Sequence, residues 1–311
     1  MRYPAVESIL PRIENPKSEL LKNLSVLIDN AIDFGTNLLK WELEKGQKSD
    51  EHIVPILFFR NILSVADGIS ILIKSSSIDN SKSLVRVLIE SIFSLEYLLQ
   101  DNTKKRSLAY FVWNAHKDLK FIEQINYTTE TGKQLKSNIA KDKFTKDIEL
   151  DYLPEFDEGK KNAEELLKLP NYVNIEKEYQ RTLLKNNKVN NWFTLYDGPQ
   201  DFEKLSAKIN LNSFYQLHYR YYSKNIHSTS VHKGVILTNE DGSGAIIQIR
   251  SWKDSISTSV DTLNFLLLTI MTFQGKLLPE RNDDFLKWYW EFRNNYLNLV
   301  EMSKNYDSAD L

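Results

Sequence analysis

The 311 residues include no cysteine. That removes both disulfide frames and thiolate metal sites. The fold must be held by its core, and a chain of this length buries about three quarters of its surface. With 41% apolar and 12% aromatic residues, the sequence supplies such a core unaided. Glycine (10) and proline (8) are scarce, at about half of the usual ~7% and ~5%. Open β folds and dinucleotide-binding folds spend glycine in turns, so this scarcity points to long helices. There is also no excess charge of one sign: 40 Lys and Arg face 42 Asp and Glu, so the broad basic field of a duplex-DNA binder is excluded. The opening "MRYPAVESILPRIENP" lacks the apolar core of a signal peptide. The most apolar runs are broken by Arg60 and Asp67, and by Arg86, Glu90 and Glu96. Neither offers the ~20 uninterrupted apolar residues that span a bilayer. The expectation is a cytoplasmic protein without a membrane partner, one helical domain over 1–311.

The expected fold class is all-α, a multi-helix bundle. An amphipathic helix over 17–46 carries Leu20, Leu24, Leu27, Ile28, Ala31 and Leu38 at three-and-four spacing, starting behind Pro16 at Ser18 and Glu19. "IVPILFFRNILSVADGISILIKS" is apolar nearly all round, a core helix with Pro55 in its first turn. In "SKSLVRVLIESIFSLEYLLQD", Arg86, Glu90, Ser94 and Tyr97 fall on one narrow polar line, and Arg86 and Glu90 are neighbours one turn apart. This line reads either as a structural pair or as a stripe facing a pocket. Residues 126–188 turn to lysine, glutamate and asparagine and read as an exposed insertion. "VILTNEDGSGAIIQIR" predicts a small β-hairpin near 235–250. "DSISTSVDTLNFLLLTIMTFQ" is a core helix ending near Gly275. The last helix, over 283–305, has Asp283 and Asp284 in its first turn. Its aromatic stripe of Phe285, Trp288, Tyr289, Phe292, Tyr296 and Leu299 is a packing face or a dimer contact.

The chemistry-bearing stretch is "HYRYYSKNIHSTSVH", residues 218–232, with three of the five histidines. Arg220 and His227 are seven apart, about 10.5 Å along a continuous helix and on nearly one face. Helical side chains lean toward the N-terminus, so Arg220 points away from His227. Convergence requires a break after Asn225 or a second copy of the helix. This pair suits metal-free RNA cleavage: a neutral histidine takes the 2′-hydroxyl proton, and a guanidinium holds the phosphoryl oxygens. Tyr215, Tyr219, Tyr221 and Tyr222 would stack splayed bases. The plainer reading is that the tyrosines pack, Arg220 is solvated and His227 caps a helix end. His218, His227 and His232 have spacings of nine and five, which suit no common helical ligand pair, and no HExxH, phosphate loop or GxSxG elbow occurs. No cofactor and no metal are expected.

Two blocks, "SKSLVRVLIESIFSLEYLLQD" and "NNWFTLYDGPQDFEKLSAKINLNSFYQLHYRYYSKNIHSTSVHKG", resemble the bacterial domain-of-unknown-function family fifty-six seventy-seven. The resemblance covers roughly 50–275 and matches Arg86 and Glu90 in the first block. In the second it matches Trp192, Gly198, Tyr219, Ser223 and His227; the proline that often follows the histidine is here Ser228. A weaker similarity is to the HEPN superfamily, helical bundles that often dimerise and include many metal-independent ribonucleases of phage-defence and toxin–antitoxin systems. Its motif is an arginine, four to six residues, then a histidine, as in Arg220 to His227. Tyr221 departs from the small polar residue usual after that arginine. The resemblance implies a HEPN-like core and a homodimer acting on RNA, with an antitoxin or defence protein as partner. Arg220 and His227 would be catalytic, with Arg86, Glu90, Tyr219, Ser223 and Trp192 in support. The alternative is a non-catalytic helical module that binds a protein partner or a nucleotide.

Overall fold

In the computed structural model, the described residues are 5–11, 17–46, 49–148, 154–224, 236–238, 242 and 244–306. They are overwhelmingly helical, and the chain divides into two compact units: Met1–Asp101 with Ser206–Leu311, and Asn102–Leu205. The 126–188 segment falls inside the second.

The first unit is built on α1 (Ser18–Glu44), α2 (Asp50–Lys74) and α3 (Ile78–Gln100), which pack in sequence order. On α1, Leu21, Leu24, Ile28, Ala31, Phe34 and Leu38 are buried, one per turn along the inner stripe. The helix starts at Ser18 with Glu19 in its first turn, where the helix dipole favours an acid. Ser25 and Ser70 meet by hydroxyls at 2.8 Å and tie α1 to α2 inside the core. The position expected for Pro55 needs correction. α2 begins at Asp50, so Pro55 lies beyond the first turn. Ser49, extended at φ −75 and ψ 151, opens the helix earlier than the apolar pattern indicated.

α11 (Ser255–Leu277) fills the bundle against α1 and α3, with Phe273 stacked on Phe59 of α2 at 4.1 Å. Both α2 (from His52) and α11 are long and apolar enough, by length and composition, to cross a membrane. In this fold they turn Ile62, Ala66 and Ile69, and Leu263, Leu266 and Ile270, wholly inward. The 3-10 turn Pro279–Arg281 leads to α12 (Asn282–Tyr306), whose Phe285, Phe292 and Leu299 are buried and whose Trp288 stacks on Phe34 at 4.4 Å. β1 (Ile236–Thr238) and β2 (Gly244–Ile246) pair antiparallel over three residues a side, Ile236 opposite Ile246. Most of the segment joining them lies outside the described residues.

The second unit holds α4 (Thr103–Ile125), α5 (Glu130–Lys141), α6 (Pro154–Lys168) and α7 (Val173–Asn186). Its own small core gathers Leu108, Ala109 and Val112 of α4 with Tyr172, Ile175 and Leu195. The "WFT" 3-10 turn (Trp192–Thr194) closes on Gly198, where a Cβ would stand 2.1 Å from the Phe193 carbonyl oxygen. Only glycine fits so close a backbone approach.

Candidate functional site

The described part of the signature stretch, residues 218–224, ends one short helical rod in the first unit. After α8 (Phe202–Lys208), the rod runs through α9 (Asn212–Phe214), a π turn (Tyr215–Tyr219) and α10 (Arg220–Ser223). π turns are rare and occur often at functional sites. Two faces of the rod are fixed to neighbouring helices.

One face meets α3. The Tyr219 hydroxyl donates to Glu90 Oε1 at 2.9 Å and accepts from Arg86 Nη2 at 3.1 Å and Nε at 3.3 Å. Arg86 Nε and Glu90 Oε1 also pair directly at 3.0 Å, one turn apart. The arginine and glutamate side chains are 21% and 29% exposed, so the pair is half-buried at the edge of the bundle. Burial and then the Glu90 carboxylate push the Tyr219 phenol above its usual range. For Arg86, burial acts against the charge, but Tyr219 and Glu90 outweigh it and hold the guanidinium more firmly protonated. Ser94 and Ser223 turn their hydroxyls back onto the Glu90 and Tyr219 carbonyls.

The other face meets α11. Asp261 Oδ2 accepts from the Tyr222 hydroxyl at 2.7 Å and from His218 Nδ1 at 3.2 Å. Tyr222 is 2% exposed, and burial followed by Asp261 drives its phenol well above the normal tyrosine range. His218 is wedged by Phe214 and Phe265, and its Nε2 has no hydrogen-bond partner among the described residues. One turn before Arg86 on α3, Lys82 is buried and held by Asp254 at 2.7 Å and Asp79 at 3.0 Å. Burial opposes its charge, and the two carboxylates more than offset that.

What remains is an outward stripe: Leu217, 70% exposed, then Arg220, Tyr221 and Lys224 at three-and-four spacing. Arg220 donates to Gln216 Oε1 at 2.8 Å and has no carboxylate partner among the described residues.

The expected set is thus brought together in part. Arg86, Glu90, Tyr219 and Ser223 form one network. Arg86 and Glu90 orient Tyr219 and not Arg220, because the rod turns Arg220 outward one residue later. Trp192 belongs to the second unit, 4% exposed and edge-on to Tyr110 and Phe193. Tyr219 and Tyr222 are buried, so only Tyr221 of these three keeps an exposed ring for stacking. His227 and His232 lie outside the described residues. Among those described, no three His, Asp or Glu gather as a metal site. The sequence reading missed Asp261, 43 positions from His218. Its local signal is the single acid of a helix otherwise made of apolar and small hydroxyl residues with few other polar ones.

A family model, that of a family of unknown function (DUF5677), matches residues 52–244, more than half of the chain. No curated protein and no solved structure matches.

Proposed function

Because the chain belongs to DUF5677, whose function is unknown, its chemistry must be argued from its own residues, and we propose a metal-independent endoribonuclease of HEPN-like kind, working as a homodimer in the cytoplasm. The observation that carries this is Arg220: a guanidinium without a carboxylate partner among the described residues, displayed by a rod clamped on both flanks. A charge so presented is preorganised for an external anion, and a guanidinium matches two phosphoryl oxygens.

In this reading Arg220 holds the scissile phosphate and His227 takes the 2′-hydroxyl proton. The 2′-oxygen bonds to phosphorus as the bond to the 5′-oxygen breaks. The products are a 2′,3′-cyclic phosphate and a 5′-hydroxyl protonated from solvent. Arg86, Glu90 and Tyr219 keep the rod in register, and Tyr221 offers a stacking ring. Uncontrolled cleavage of this kind arrests growth, which fits a role in phage defence or beside an antitoxin.

The test is cleavage of single-stranded RNA by purified protein with chelator present. Wild type should leave 2′,3′-cyclic ends. His227→Ala and Arg220→Ala should each lose at least ~100-fold in rate with unchanged circular dichroism. Equal cleavage by wild type and His227→Ala refutes the assignment.

A second reading, a non-catalytic module that binds a protein or nucleotide, is favoured by one feature. The Arg86, Glu90 and Tyr219 side chains bond to one another, as a structural clamp would. Under it, His227→Ala lowers melting temperature as much as it lowers function.

A further inference from the structure

Within the second unit, residues of α4, α7 and the turn after α7 line an open groove of about 760 Å3. That size lies inside the usual range for small-molecule sites, ~300–1,000 Å3. Every lining residue belongs to this unit, so the groove owes nothing to Arg220 or the rod. Its construction begins where α7 ends. Asn187 takes the left-handed conformation at φ 58, and the chain after it meets α4, where Trp113 Nε1 donates to the Val189 carbonyl at 3.3 Å. That bond fixes the wall on which Lys188 and Asn190 stand. His116 is held twice over. Its Nε2 meets Glu176 Oε2 at 2.7 Å, and its ring lies flat on Tyr179 with 3.8 Å between centroids. Gln180 occupies the other Glu176 oxygen at 2.7 Å. The imidazole is thus fixed, and its Nδ1 has no hydrogen-bond partner among the described residues.

The charges of this groove are unbalanced. Lys117, Lys120 and Lys188 line it, and none has a carboxylate partner among the described residues. Lys117 rests over the Trp113 ring at 4.4 Å, a contact that holds the ammonium without neutralising it. Lys117 and Lys120 stand three apart on α4, a like-charge spacing that is unfavourable until an anion bridges it. Three ammonium groups face one lining carboxylate, Glu123, so the complementary ligand carries concentrated negative charge. The next turn of α4 offers different chemistry. Phe121 lines the groove, 55% exposed, and Glu123 and Gln124 follow it. An open ring stacks a planar base, a carboxylate accepts from ribose hydroxyls, and an amide matches the donors and acceptors of a base edge. From Lys117 to Gln124 the helix rises about 10.5 Å, comparable to an extended nucleotide. Basic at one end and aromatic at the other, the lining follows the order of phosphate, sugar and base.

We propose that the second unit binds a nucleoside polyphosphate in this groove. Lys117, Lys120 and Lys188 hold the phosphates, Glu123 takes the ribose and Phe121 stacks the base. The fixed His116 adds a polar contact through Nδ1. This site is separate from the RNA-cleaving reading and stands whether or not that reading fails.

Calorimetric titration of the full chain with ATP, GTP, CTP and UTP tests it. At least one should bind with a dissociation constant below ~1 mM. The matching nucleoside and inorganic tripolyphosphate should each bind at least ~10-fold more weakly, because each lacks half of the contacts. Lys120→Ala with Lys188→Ala should weaken nucleotide binding at least ~30-fold. Both side chains are exposed, so circular dichroism should stay unchanged. Phe121→Leu keeps an apolar side chain and removes the ring; it should lose ~10-fold for the nucleotide and nothing for tripolyphosphate. Arg220→Ala should leave the affinity as it was. Failure of all four triphosphates to bind at ~1 mM overturns the proposal. Binding that the lysine pair does not weaken overturns the site. Tripolyphosphate as tight as any nucleotide marks a general polyanion surface and overturns the nucleoside half. Single-stranded RNA that binds through these lysines where no nucleotide does gives the groove to RNA instead.

Discussion

Replacing Tyr219 by phenylalanine removes one oxygen and keeps the ring. That oxygen donates to Glu90 at 2.9 Å and accepts from Arg86 at 3.1 and 3.3 Å. Hydrogen bonds to charged groups contribute about 1.5–3 kcal/mol each when well shielded. Here the side-chain partners are 21% and 29% exposed, and Arg86 and Glu90 still hold each other at 3.0 Å. Water and the remaining ion pair recover part of the loss, which sets the net cost near ~1–2 kcal/mol. In a unit of roughly two hundred residues, each kcal/mol moves the melting temperature by ~2–4 °C. A fall of ~2–8 °C is therefore expected in the transition of the first unit. The control is Tyr221→Phe, an exposed tyrosine next in the rod, which should change stability by less than ~0.5 kcal/mol. Thermal and urea melts followed by circular dichroism measure both. Tyr219→Phe and Glu90→Gln should also be non-additive, since each disables the same bond. Melting within ~1 °C of wild type, or an equal loss in Tyr221→Phe, would refute the claim that this network fixes the rod.

Two further outcomes follow from buried chemistry. Burial raises the Glu96 carboxyl above its ordinary value, with Thr272 and Lys276 only partly opposing, and its Oε1 is buried without a hydrogen-bond partner among the described residues. The unfolded chain then ionises first as pH rises, so stability falls above the ordinary range near ~4.3. Glu96→Gln should melt higher than wild type at pH 7, and the gap should close on acidification; a gap that widens contradicts the assignment. Gly198→Ala forces a Cβ against the Phe193 and Leu195 carbonyl oxygens at 2.1 and 2.9 Å. It should cost the second unit on the order of 3 kcal/mol, and an unshifted melt would show that the turn yields freely.

Periodic elements were legible in the sequence because each carries its own signal. The stripe of α1 beginning at Ser18, the Arg86–Glu90 pair on α3 and the acid-led start of α12 all follow from spacing within one segment. α4 was not read, although it anchors the second core. Its buried Leu108, Ala109, Val112, Ala115 and Ile122 are thinned by lysines and asparagine, which hides the stripe. Pairings across long separations were out of reach: Lys82 to Asp254 spans 172 positions and Tyr219 to Glu90 spans 129. The π turn has no composition signature of its own, and it falls where Leu217 is left outward.

The first unit is written in two pieces of chain, with the whole second unit between them. During synthesis, α1, α2 and α3 leave the ribosome long before α11, the helix they must enclose, has been translated. The interval from Gln100 to Ser255 lasts roughly 8–30 s at ordinary elongation rates. Through that delay Phe59 lacks the Phe273 ring of α11 that stacks on it, while Asn102–Leu205 holds the residues of its own small core. The nascent chain therefore completes its inner unit first and its outer unit last.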